Sequence, residues 1–458
     1  MSKVKLTANI LFSGVGMQER GIENSILFDL KVINTSEINK EAVVSYAAIH
    51  CGLTPELINT YPDYPSRNEM AQQLTDINFG YEPEKDKAFD WFKLIKRKNK
   101  DLEKYWLACK LSNNLGDINK IEFLPYADLW TISFCCQDIS VAGKMKGLKP
   151  DSGTRSSLLW ENIRLLKRAK DDNTLPKYLM FENVKNLVSK KFINDFNSLL
   201  EVLDELGFNS YWQVLNGKDC GIPQNRERVF VISIRKDIDK GTYDFPKPFD
   251  NGLRLKDMLE DKVDEKYYLS DEVQARFTIT DKSFTKNIIG TTKPECRTIG
   301  QRDLVYQENS IMGALVATDY KQPKQILETN QCIQEGNLSG GKWDKIYESA
   351  RRYYSCDGIC PTIHTCGGGN TETKILEPCL GTNNIHGRIR KLTPIECWRL
   401  MGLTTKDCEK AISVGMSDTQ LYKQAGNGII TNCVSFIFEH LYKAQYENTY
   451  KCTDENFV

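Results

Sequence analysis

Apolar and polar positions along the chain follow a repeating strand-then-helix rhythm. Thr7–Phe12 is a short apolar run, Ser13-Gly14-Val15-Gly16 makes a turn, and Met17–Asn24 has helical spacing. Lys31–Thr35 reads as a second strand closing on Ser36-Glu37, and Glu41–Ile49 as a second helix. Residues 51–110 interrupt the rhythm with a polar, lysine-rich stretch that reads as an insertion. It then resumes. Leu129–Phe134 is predicted as a strand, Ser157–Arg168 as a helix, Tyr178–Phe181 as a strand and Phe192–Leu206 as a helix running out at Gly207. Ser210–Leu215 and Val229–Ile234 follow as strands. This order predicts an α/β fold, a doubly wound and mostly parallel sheet covered by helices on both faces.

From about Asp237 to Arg388 the texture changes. Prolines such as Pro246, Pro294 and Pro361, the Gly367-Gly368-Gly369 run and short β-rich stretches replace the helical period. Helical spacing returns at Thr393–Met401 and Val434–Tyr446. The organisation expected is a first domain over residues 1–240, a second, smaller β-rich domain over 245–388, and a return to the first over 389–458.

Composition narrows the function classes. With 458 residues, two or three domains are expected, and 10% aromatics do not describe a disordered chain. Basic and acidic side chains balance at 61 each, so the protein does not coat nucleic acid through bulk charge, although local basic surfaces stay open. The run Lys93-Leu94-Ile95-Lys96-Arg97-Lys98 reads first as a solvated helix face. Apolar runs fall far short of the roughly 18 residues of a spanning helix, and the N-terminus does not read as a secretory signal. Fifteen scattered cysteines read as free thiols in a reducing cytoplasm. The spacing of Cys356, Cys360, Cys366 and Cys379 repeats no zinc knuckle, so no metal is expected.

Six short patterns could carry chemistry. The turn Phe12-Ser13-Gly14-Val15-Gly16 would let a ligand approach backbone closely, and Glu37 stands where an acid can meet ribose hydroxyls. A plain tight turn with a surface Glu competes with that reading. Cys135-Cys136-Gln137 follows a buried strand, where open α/β sheets place their sites; two small buried hydrophobes are the alternative. Glu182 ends the strand Tyr178–Phe181 and could donate a proton if burial raised its pKa, or merely cap a helix. Arg226 and Arg228, at i and i+2 of an extended segment, would face one side and suit an anion or carboxylate, or make structural salt bridges. Thr393-Pro394-Ile395-Glu396 is a good helix start, and Gln424-Ala425-Gly426-Asn427-Gly428-Ile429 reads as a turn before the last helix.

Taken in order, these blocks resemble the DNA (cytosine-5) methyltransferase family, in its bacterial and phage branch. The ordered set is the glycine turn, Glu37, Gly116-Asp117-Ile118, the Cys-Gln loop, Glu182-Asn183-Val184, Gln224-x-Arg226-x-Arg228, Leu392-Thr393-x-x-Glu396-x-x-Arg399-Leu400-x-Gly402 and Gly426-Asn427. The resemblance covers residues 8–235 and 388–445 and implies a class I, Rossmann-like methyltransferase domain using S-adenosylmethionine. The β-rich segment then corresponds to the family's target-recognition domain. Phe12 would stack on the cofactor's adenine, Gly14 and Gly16 pass its methionine part, and Glu37 hold its ribose. Asp117 and Ile118 would meet the adenine, and Asn427 close the site. Cys136 would be the nucleophile, beside Gln137, with Glu182 acting on cytosine N3 and Arg228 and Arg226 orienting base and carboxylate. In the variable segment Thr362, Gly367 and Gly368 resemble the recognition stretch, and Arg351 and Arg352 are candidate phosphate or guanine contacts.

One departure stands out: Cys135 occupies the position of the family's proline, and only the register to Gln137 selects Cys136. The resemblance implies double-stranded DNA as partner, a cognate restriction endonuclease as a genetic partner, no membrane, and a monomer. Rival readings are an RNA cytosine-5 methyltransferase, a non-catalytic DNA-binding relative and a nicotinamide oxidoreductase. The long variable segment opposes the first, and the retained Cys136 and Glu182 oppose the other two.

Overall fold

The computed structural model describes residues 3–82, 86–133, 158–268, 288–291, 303–307, 310–327, 334–337, 352–354, 374–375 and 389–447. The chain divides into two compact units: Met1–Gly221, Arg226–Asp250 and Met401–Val458 in the first, Ile222–Asn225 and Asn251–Leu400 in the second.

A six-stranded sheet forms the first unit. Its strands are β1 (Val4–Leu11), β2 (Phe28–Ser36), β3 (Leu129–Ile132), β4 (Tyr178–Val184), β5 (Phe208–Asn216) and β7 (Glu227–Arg235), with β6 (Gln224–Asn225) assigned to the second unit. Their spatial order is β2-β1-β3-β4-β7-β5. β1 pairs parallel to β2 and to β3, and β3 parallel to β4. β7 alone runs opposite to the rest, pairing antiparallel with both β4 and β5. The expected mostly parallel, doubly wound α/β sheet is what the chain builds. Central β3 and β4 are almost continuously buried because helices cover both faces, whereas edge strand β5 mixes buried with half-exposed positions.

Helices α1 (Met17–Asn24) and α2 (Lys40–His50) precede the insertion, which forms α3 (Pro55–Thr60), α4 (Arg67–Asp76), α5 (Phe92–Ile95) and α6 (Asp101–Leu111). Then come α7 (Leu158–Asp171) and α8 (Ile193–Leu206). On one face Trp130, Leu179, Phe181 and Val231 pack with Ile163 and Leu166 of α7 and Phe196, Leu199 and Leu203 of α8. α8 stops at Gly207, whose φ of 104° is a conformation glycine adopts without a Cβ penalty. After the second unit's α9 (Pro394–Arg399), the chain supplies α10 (Thr405–Ser413), α11 (Asp418–Asn427) and α12 (Thr431–Tyr446). On the sheet's other face, Phe28 of β2 meets Phe438 and Tyr442 of α12 edge-on. α12 also lies against α1: a Cβ on Gly21 would fall 2.5 Å from the Val434 Cβ and 2.7 Å from the Thr431 carbonyl oxygen.

The insertion has its own aromatic core. Buried Trp91 stacks on Phe79 at 5.4 Å and donates its indole N–H to the Phe79 carbonyl at 2.8 Å. The basic run keeps its solvated character, with Lys93 73% exposed.

Within the second unit β15 (Ile389–Lys391) pairs antiparallel with β11 (Gln325–Leu327), which joins β9 (Leu304–Gln307) and β8 (Ile288–Thr291). β12 (Gln334–Asn337), β13 (Arg352–Tyr354) and β14 (Lys374–Ile375) form a three-stranded sheet, and β10 (Met312–Gly313) pairs with β6. Fully buried Arg390 grips Glu396 through two bonds of 2.8 Å, and Glu396 also caps α9. These ties hold residues 389–400 in the second unit. The chain therefore re-enters the first unit at Met401, not at the expected residue 389.

Candidate active site

The glycine turn sits at the C-terminal end of β1, against the ends of β2 and β3. Phe12 adopts φ of +56°, a left-handed conformation rare for an aromatic residue and a mark of a constrained site. Gly14 (φ +54°) has open space where a Cβ would point; Gly16 (φ +83°) instead faces Tyr46 and His50 of α2. The two glycines thus do different work: the first leaves room in front of the turn, the second lets α2 close behind it. Ser13 Oγ is buried and has no hydrogen-bond partner among the described residues.

Glu37 follows β2 directly. Its carboxylate accepts the Gly14 N–H at 3.1 Å and the Asn39 N–H at 2.8 Å, while burial raises its pKa against those bonds. The Asn114 side chain brackets the Glu37 backbone, accepting its N–H and donating to its carbonyl, each at 2.9 Å. Ser36 Oγ donates to the Gly116 carbonyl at 2.8 Å, which brings Asp117 and Ile118 beside the same strand end. Asp117 is buried and accepts from Asn78 (2.7 Å), from the Asn119 amide side chain (2.7 Å) and from the Asn119 backbone (3.0 Å). Ile118 belongs to the apolar cluster of the sheet, against which Phe12 packs. The expected residues Phe12, Gly14, Gly16, Glu37, Asp117 and Ile118 are therefore brought together at one sheet edge.

The C-terminal segment completes this corner, with one correction. Gln424–Asn427 is the last turn of α11, not a free turn, because Ser417 caps the helix and Asn427 is its final residue. Asn427 is exposed, and its neighbour Gly428 abuts Met17, whose sulfur would lie 2.1 Å from a Cβ there.

Glu182 lies buried at the end of β4, two positions along from the residue opposite Arg228. Such diagonal neighbours share a face, and Arg228 Nε meets Glu182 Oε1 at 3.1 Å. Desolvation raises the Glu182 pKa, with Arg228 and then Arg226 pulling it down. A carboxyl so balanced can hold a proton or release it to a base placed before it.

Arg226 falls in the break between β6 and β7; its charge lowers the Glu182 pKa, and its guanidinium also donates to the carbonyls of Gly426 (3.1 Å) and Gly428 (2.6 Å). It is a strut joining the C-terminal segment to the sheet.

Cys135, Cys136, Gln137, Arg351, Thr362, Gly367 and Gly368 lie outside the described residues; of Arg352 only the backbone, opening β13, is described. Sequence reasoning missed Gln18, Asn78 and Asn114. Buried Gln18 reaches Phe12 O and Ser133 Oγ, both at 3.4 Å, and its only signal was a polar residue on a helix's apolar face.

Known proteins resemble the chain in sequence and in fold. The family model for C-5 cytosine-specific DNA methylases matches residues 91–443. The chain is 34% identical to the type II methyltransferase M2.ScrFI of Lactococcus lactis subsp. cremoris, over 95% of this chain and 98% of that one. It is 28% identical to the orphan methyltransferase M.Rho11sI of Bacillus phage rho11s, over 96% and 98%. Among solved structures, the Entamoeba histolytica methyltransferase EhMeth superposes with a TM-score of 0.50 at 13% identity, covering 97% of this chain and 99% of its own, a likeness of fold.

Proposed function

The chain belongs to the C-5 cytosine-specific DNA methylase family, and from that premise we propose that it moves a methyl group from S-adenosylmethionine to carbon 5 of a flipped-out cytosine in a specific double-stranded DNA sequence, with Cys136 as nucleophile. The observation that carries the reading is the buried Glu182–Arg228 pair at the end of β4.

The residues at the strand ends fit the cofactor. Open space before Gly14, the Ser13 hydroxyl (unpartnered among the described residues), the Glu37 carboxylate and the apolar Phe12 and Ile118 suit an amino-acid tail, a ribose and an adenine in turn. Asp117 would meet the adenine edge and Asn427 the open side. Bound S-adenosylmethionine supplies an electrophilic methyl group.

Cytosine carbon 5 is a poor nucleophile, so the chain's residues must enrich it. The Cys136 thiolate would add to carbon 6, and the electrons displaced reach carbon 5 as an enamine. Glu182 would protonate or hydrogen-bond ring N3, easing the charge that builds there, while Arg228 holds that carboxyl in place. After methylation, loss of the carbon-5 proton returns electrons to the ring and expels Cys136. The target atoms lie inside the duplex, so the base leaves the stack at a cost of a few kcal/mol. The proposed setting is the cytoplasm of a bacterial or phage-infected cell; among the described residues no helix is long and apolar enough to cross a membrane.

Bisulfite sequencing of host DNA after expression tests the activity and reads its sequence context. Unconverted cytosines should appear in one sequence context; complete conversion everywhere would overturn the reading. Calorimetry with S-adenosylhomocysteine tests the cofactor: Glu37→Ala should bind roughly tenfold to a hundredfold more weakly, the worth of a charged hydrogen-bond set. Tight NADH binding with no response to the homocysteine analogue would end that part of the reading.

The segment 245–388 is proposed as the target-recognition domain, with Thr362, Gly367, Gly368, Arg351 and Arg352 as its DNA contacts. Grafted into a relative, it should carry the methylation target with it. An active chimera that keeps its original target would move recognition elsewhere, first to residues 51–110.

A further inference from the structure

Behind the glycine turn lies a buried polar network that the proposed chemistry does not use. The His50 ring, at the end of α2, packs so close to Gly16 that a Cβ there would lie 2.3 Å from its Nε2. His50 Nε2 is 3.3 Å from the Val15 carbonyl oxygen, and its Nδ1 is 3.6 Å from Glu19 Oε1. The other Glu19 oxygen accepts the Tyr46 hydroxyl. Glu19 and Tyr46 are buried, and the His50 side chain is 2% exposed.

The donors and acceptors in this row permit few proton arrangements. A carbonyl only accepts, so the Val15 contact places the imidazole proton on Nε2. A neutral ring then turns the Nδ1 lone pair toward Glu19, whose second oxygen is already occupied by the tyrosine donor. At 3.6 Å the Nδ1 lone pair and an ionised Glu19 Oε1 would repel each other without hydrogen bonding, a repulsion that a proton on Oε1 relieves. An imidazolium is no escape: burial, then Arg20, pushes the His50 pKa down to about 3. Burial pushes Glu19 up to about 7, against the Tyr46 hydrogen bond.

We propose that Tyr46, protonated Glu19 and His50 form a positioning relay that fixes the Val15 carbonyl, and with it the Gly14–Gly16 turn, in its cofactor-holding conformation. Cofactor affinity accordingly falls as Glu19 loses its proton. The proposal rests on reading that turn as the cofactor site. Other groups face the row from every side: Arg20 and Glu23 on α1, Cys51 after α2, and Asp407 and Lys410 on α10. Arg20 bonds Glu23 at 2.8 Å and Asp407 at 2.7 Å, and Lys410 donates to the Ile49 carbonyl at 3.1 Å. Arg20, Glu23 and Asp407 are thus paired among themselves and Lys410 is held by backbone, which leaves the Glu19 proton to set the row's state.

The linkage has a definite sign. A carboxyl raised from 4.5 to about 7 on folding makes the native state bind the extra proton, so stability from this group is full below pH 4.5 and lost as pH rises to about 7.

The test is S-adenosylhomocysteine calorimetry from pH 6 to 8.5 on the full chain and on Glu19→Gln, whose amide donates to Nδ1 and whose oxygen still accepts from Tyr46. Wild-type affinity should fall about tenfold across the range while Glu19→Gln stays flat. A flat wild type, or a variant with the wild-type slope, overturns the relay. Nitrogen-15 NMR of the histidine rings in the cofactor-free protein gives a separate readout. His50 should be the Nε2–H tautomer and shift near pH 7 in wild type but not in Glu19→Gln. The opposite tautomer, or no shift, overturns the relay. Folded protein that binds no homocysteine analogue at any pH sinks the cofactor reading instead, and the ring signals then decide the relay alone.

Discussion

Cys136→Ser is expected to lose methyl transfer by roughly 10³-fold or more, while Cys135→Pro keeps it. A serine hydroxyl lacks the thiolate's nucleophilicity near neutral pH, so the carbon-6 adduct that enriches carbon 5 does not form. The variant should still bind the homocysteine analogue and DNA, which separates lost chemistry from lost folding. Cys135→Pro restores a fixed φ and removes one backbone N–H, both compatible with the family's loop. If the loop is extended, as the family resemblance implies, neighbouring side chains would point to opposite faces and only one of the two thiols would meet the base. Trapping on DNA that contains 5-fluorocytosine, followed by peptide mass spectrometry, should place the adduct on Cys136. An adduct on Cys135 would reverse the assignment.

Glu182→Gln should lower kcat by roughly 10²- to 10⁴-fold, the range of a positioned proton donor, with homocysteine-analogue affinity unchanged. The amide keeps the size of the carboxyl but cannot pass a proton to N3, and it leaves Arg228 without its charge partner at 3.1 Å. The pH profile tells loss of acid function from loss of packing. Burial raises the Glu182 pKa, so wild-type turnover should fall as pH climbs past it and the acid form disappears. The residual activity of Glu182→Gln should lack that limb. A variant with wild-type kcat would remove Glu182 from the chemistry.

The central strands are legible because burial on both faces favours apolar runs: the expected Leu129–Phe134 starts with observed β3, Leu129–Ile132, and Tyr178–Phe181 lies inside β4. The edges were harder. β1 begins at Val4 and β2 at Phe28, because Val4-Lys5-Leu6 and Phe28-Asp29-Leu30 alternate and read as polar when scanned for apolar runs. Helices α10 and α11 escaped notice although Thr404 with Asp407 forms a capping box and Ser417 caps the next helix. Their first turns are polar, and a cap without an apolar run behind it carries little weight. Within the site, Glu37 and Glu182 stood out because each carboxylate ends a strand. Asn114 and Gln18 did not, since they act through bonds to residues distant in sequence. The spacing of Arg226 and Arg228 marks both as partners of a carboxylate, but the bonds from Arg226 to the Gly426 and Gly428 carbonyls join residues 200 and 202 positions apart and leave no local pattern.

The interlock of α1 with α12 has a consequence for how the molecule is made. Gly21 admits Val434 and Gly428 admits Met17, so the first strand–helix unit keeps an uncovered face until the last described helix arrives. About 400 residues of synthesis separate the two, on the order of 20–80 s at ribosomal speed. For more than half of that interval the nascent chain holds the glycine turn, Cys136 and Glu182 yet lacks Gly426 and Gly428, whose carbonyls anchor Arg226, and the seat for Met17. The corner around the glycine turn is therefore closed only after residues 426–434 have been synthesised.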